Sequence, residues 1–177
     1  MKTYRRVVSL IVFTAFIGGC ALAPSSGRGG TKPKAFSMEV KVAKKVYKPG
    51  ELIVVDVWAS EDCYLSLYDI STQGEVTQIF PNSYAADNLI QGRRIYPIPA
   101  KSDAFDFEVS GPAGLEKVRG VCTKANVNFF EEQTRNSSDL FPSVADDSDR
   151  FERAINTRLN AVPDTQWAEA EVSFQVR

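Results

Sequence analysis

The chain has 177 residues, with 21 Lys and Arg against 22 Asp and Glu, and no histidine. All 22 acids fall in residues 37–177, where 15 basic residues leave a net charge of −7. A domain that acidic offers no electrostatic footprint for nucleic acid, and the lack of histidine removes the commonest general base and the commonest metal ligand.

Residues 1–6, MKTYRR, carry three cations, and residues 7–17, VVSLIVFTAFI, are almost purely apolar. Gly18, Gly19 and Cys20 follow. This is the charged, apolar and small-residue layout of an export signal. The apolar run is too short for a spanning helix, which needs about 20 residues. The stretch Phe16-Ile17-Gly18-Gly19-Cys20 resembles the lipobox of bacterial lipoproteins. That resemblance implies a signal peptide over 1–19 and a diacylglycerol on the Cys20 thiol. More than one acyl chain would make a durable anchor. Ala21 rather than aspartate follows the cysteine. In a Gram-negative host the same resemblance implies the outer membrane, with the domain facing the periplasm. Residues 20–36 then read as the lipidated cysteine and a flexible tether rich in Gly, Ser and Pro.

Residues 37–177 are expected to form one domain. SMEVKV (37–42) alternates, with Met38, Val40 and Val42 on one face. YKPGEL (47–52) centres a turn on Pro-Gly. LIVVDVWAS (52–60) puts Ile53, Val55, Val57 and Ala59 on one face. Its other face carries Leu52, Val54 and Trp58, so cover on both sides is expected. CYLSLYDI (63–70), the turn STQG (71–74) and EVTQIF (75–80) suit a hairpin. Residues 81–92 read as a loop, and RIYPIP (94–99), with two prolines, as an edge or irregular strand. FDFEV (105–109), EKVRGVCT (116–123) and NVNFF (126–130) read as further strands, and 131–147 as a polar loop. Asp149 and Glu152 open a helix over about 149–161, with Phe151, Ile155 and Leu159 as its apolar stripe and Pro163 as its stop. WAEAEVSFQV (167–176) turns Ala168, Ala170, Val172, Phe174 and Val176 inward. About eight strands and one C-terminal helix predict a mainly β chain, an antiparallel, immunoglobulin-like β-sandwich.

CYLSLYDISTQGEVTQIFPN (63–82), DNLIQG (87–92), IP (98–99) and FDFEVSGPAGLEKVRGV (105–121) together resemble the bacterial family of domain of unknown function 4384. The resemblance covers about 47–123. It implies a β-sandwich module, often lipid-anchored or fused to other domains, and brings no catalytic residues.

In an oxidising compartment Cys63 and Cys122 are candidates for a bridge, the other reading being two buried thiols. Phe80, Asn82, Tyr84, Asp87, Asn88, Arg93 and Arg94 form a candidate partner-binding segment. The structural alternative is a turn in which Pro fixes φ and Asn bonds nearby backbone. ADDSD (145–149) lacks the ligand spacing of a calcium loop, and acids at a helix start explain it. No metal and no cofactor is expected. Trp58, Tyr64, Tyr68, Tyr84 and Tyr96 are read as core rather than sugar-stacking aromatics. The function expected is a non-catalytic, lipid-anchored module docking another envelope protein. The alternative is a module binding glycan, peptidoglycan or a small ligand. An acid-based hydrolase comes third, since nothing in the sequence marks a carboxylate pair.

Overall fold

A computed structural model describes residues 36–177; Cys20 and the expected signal peptide lie outside them. In chain order the elements are β1 (Met38–Val42), β2 (Val46–Tyr47), β3 (Leu52–Ile53), β4 (Val55–Ala59), β5 (Cys63–Ile70), β6 (Val76–Phe80) and β7 (Leu89–Ile90). There follow β8 (Ile95–Ile98), β9 (Phe107–Glu108), β10 (Gly114–Thr123), α1 (Glu131–Asn136), β11 (Ser143–Ala145), α2 (Ser148–Leu159) and β12 (Trp167–Val176). The fold is mainly β. The largest sheet runs β11-β6-β5-β10-β12-β2, with β7 also paired to β5. A smaller sheet runs β1-β4-β8, and β3 and β9 form a ribbon. The ladders are antiparallel except β12 with β2.

Alternation decides the layers. Cys63, Leu65 and Leu67 of β5 point to one side of the large sheet, as do Val118 and Cys122 of β10 and Val172 and Phe174 of β12. They meet Met38 and Val40 of β1 and Val55, Val57 and Ala59 of β4 in one core. The approach is close at Gly120, where an added Cβ would come within 2.8 Å of Met38 and Val40 side-chain carbons. The other side of the large sheet presents Tyr68, Ile70, Val76 and Val121. The α2 stripe of Phe151, Ile155 and Leu159 covers them, with Phe129 and Phe130 beside it. Each such side chain contributes about 1.5–3 kcal/mol on leaving water. The expected stripe and the inward face of β12 are both realised.

Five expectations are corrected. Tyr84, read as a core aromatic, is exposed. The second face of the 52–60 segment is not covered: Leu52 is 58% and Val54 42% exposed, and only Trp58 is half-buried. The helix cap is Asp147, whose carboxylate accepts from the Arg150 N–H at 2.8 Å, not Asp149. Residues 126–130 form no strand, because Phe129 and Phe130 reach the second core from irregular backbone. Residues 131–147, read as loop, contain α1 and β11.

Candidate functional site

The 80–96 segment divides into a buried frame and a displayed surface. Phe80 lies in the first core. The Asn82 side chain donates to the Ile79 carbonyl at 3.0 Å and accepts from the N–H groups of Tyr84 and Ala85. Asn88, also buried, donates to the Leu65 carbonyl at 2.9 Å and so ties the loop to β5. Farther on, an added Cβ at Gly92 would fall 2.5 Å from Glu61 Cα, so only glycine lets this loop rest on the β4–β5 turn. The Gly92 N–H donates to Asp62 at 2.7 Å and the Arg93 N–H to the Ala59 carbonyl at 2.7 Å. With the backbone held this way, Tyr84 (66% exposed), Asp87, Arg93, Arg94 and Ile95 (68% exposed) stand out at the surface. Asp87 also accepts from the Leu89 N–H. β8 is an end strand of its sheet, as its prolines suggest.

Cys63 and Cys122 are bridged, with Cα atoms 5.5 Å apart. Cys122 sits opposite Leu65 in the β5–β10 register, so the bridge joins neighbouring strands of one sheet within the first core.

At the other end of β5 the same inward face delivers Asp69, and β10 delivers Glu116 beside it. A cavity of about 290 Å³ opens there between the β5–β6 turn and the β9–β10 turn. Part of its lining is apolar, with Ile53, Ile79, Phe107, Phe141 and Phe174, and the rest is polar, with hydroxyl and amide side chains beside the acids. The two carboxyls lie close enough to act on each other's ionisation. Burial, then the nearby Glu116 charge and hydrogen bonding with it, hold Asp69 well above the usual carboxylate range. Burial also raises Glu116, partly offset by the bond from Asp69. The sequence reading missed this pair, because each residue alone reads as one polar position in a strand. Among the described residues no group of three or more Cys, Asp or Glu is placed to hold a metal ion.

Residues 46–126 match the family model described as a domain of unknown function (DUF4384), which bears out the resemblance read over 47–123. The match runs from β2 through β10. It stops before α2, which completes the second core, and β12, which lies between β10 and β2 in the large sheet. No curated protein and no solved structure matches the chain.

Proposed function

We propose that the chain is a non-catalytic envelope lipoprotein whose domain docks another envelope protein through the exposed side of the 80–96 segment. The observation that carries this reading is the contrast within that segment. Phe80, Asn82 and Asn88 are buried and fix the backbone, while Tyr84, Arg93, Arg94 and Ile95 are displayed. Tyr and Arg are enriched among the residues that dominate binding energy, and a fixed backbone lowers the ordering cost of using them. The fold that accompanies this reading is an immunoglobulin-like sandwich, with its disulfide inside one sheet rather than between two. Asp69 and Glu116 interact directly, whereas glycoside hydrolysis holds its carboxyls roughly 5–9.5 Å apart, so the pair does not favour a glycosidase reading.

The test is crosslinking in intact cells followed by mass spectrometry. Changing Tyr84, Arg93 and Arg94 together to Ala should remove crosslinks to a stoichiometric partner and leave the melting temperature within about 2 °C, as surface changes do. Retained crosslinks, or a much lower melting temperature, would make the segment structural. The anchor is tested separately. Cys20→Ala should abolish acyl labelling and shift the protein out of the membrane fraction, and unchanged labelling would refute lipidation at Cys20.

A further inference from the structure

The cavity at the Asp69 end lies apart from the docking surface and does not depend on it. Every ionisable side chain that lines it is acidic: Asp69, Glu75, Glu108 and Glu116. Glu75 and Glu108 stand at the exposed mouth, whereas Glu116 is only 7% exposed and faces the interior with Asp69. Among the described residues no Lys, Arg or N–H group bonds either inner carboxyl, and each has the other as its partner. A buried carboxyl pair is costly unless a cation or a full set of donors meets it. Nothing in the packing requires it here, since apolar residues fill the equivalent inward positions at Leu67 and Val118.

We infer that this cavity binds a small organic ammonium, a primary amine on an apolar stem. The charge of the lining selects a cation. Three N–H donors on one nitrogen suit two neighbouring carboxyl groups. The apolar part of the lining suits a carbon stem, and the rings of Phe107, Phe141 and Phe174 offer dispersion contact and cation–π faces to the guest. The volume lies at the small end of ligand pockets, which begin at about 300 Å³, so the guest is a short amine rather than a peptide or an oligosaccharide. The proton shared by the free pair leaves when the ammonium enters. Binding therefore releases protons and tightens as pH rises through the raised range of the pair. Glu75 and Glu108 at the mouth add attraction of the same sign, and no basic side chain lines the cavity to oppose it.

The test is calorimetric titration of the purified whole chain with n-butylammonium chloride, in two buffers of different ionisation enthalpy. n-Butanol and potassium chloride serve as controls. Saturable binding of butylammonium with proton release is expected, and n-butanol should bind at least about tenfold more weakly, the cost of a lost charged hydrogen bond. Glu116→Gln and Asp69→Asn should each weaken the amine by a similar factor. Equal binding of amine and alcohol would reduce the site to an apolar pocket and overturn the inference. Displacement of the amine by equimolar potassium, undiminished binding in both variants, or no binding at millimolar amine would also overturn it. If a variant fails to fold, the comparison of amine with alcohol on the unaltered chain decides the matter alone.

Discussion

Asp69 extends the inward row that Cys63, Leu65 and Leu67 set up on β5, so the alternation that builds the core also carries a carboxyl into it. Its stability consequence follows from linkage. Unfolded, Asp69 and Glu116 lose their protons near the ordinary values of 3.8 and 4.5. In the native state both are raised, so above those values the folded protein holds more protons than the unfolded chain. Stability contributed by the pair therefore falls as pH rises from about 4 through the raised native range. Removing the charge should relieve this loss. Asp69→Asn or Glu116→Gln should raise the melting temperature at about pH 8 and leave it nearly unchanged at about pH 2.5, where the wild-type carboxyls are protonated in both states. Thermal melts at the two pH values check this. Variants less stable than wild type at the higher pH would show that the carboxylates are satisfied by contacts other than each other.

At the scale of elements, α2 is held on the large sheet by its stripe and by Arg119. This arginine points from β10 toward the helix, is nearly buried, and ion-pairs with Glu152 of α2 and Glu169 of β12. It also donates to Asn156 at 3.0 Å and lies 5.9 Å from the Phe151 ring centroid. The sequence pattern placed Glu169 toward water, and the structure adds that it faces the rim of the helix. Legibility followed element length. β5 and β12 alternate over eight and ten residues, and their boundaries match those read from sequence. β2, β3, β7 and β9 have two residues each, too few to show a period. α1 buries no side chain and so has no stripe to read. The acid run at 145–149 signalled a helix start but offered several caps, and only packing selects Asp147. The Asp69–Glu116 pair was not legible because it is made by the register of β5 on β10, which one sequence cannot fix. The displayed part of 80–96 was legible as residue types. Its division into frame and surface was not, since Asn82 and Tyr84 look equally polar on paper.

At the scale of the domain, the large sheet carries a core on each face, and β5 and β10 belong to both. These two strands are joined covalently at one end, by Cys63–Cys122, stay paired as far as Ile70 and Lys117, and border a cavity at the other. The bridge spans a sequence separation of 59, so in the chain-entropy model it contributes about 4 kcal/mol by restricting the unfolded state. Both sulfurs also fill space in the first core, where the two residues are at most 1% exposed. The double change Cys63→Ala with Cys122→Ala should therefore destabilise the domain by about 4 kcal/mol or somewhat more, the excess coming from the small cavities left behind. Reduction of the wild-type chain removes the entropic part alone and should cost less than the double change. Denaturant midpoints for oxidised, reduced and doubly substituted protein measure both quantities. Since β5–β10 pairing supports the two cores together, loss should appear as one transition moving to lower denaturant. Two separated transitions would show that the α2 core unfolds independently of the first core. An unmoved midpoint on reduction would show that the bridge adds nothing to the ladder that β5 and β10 already form.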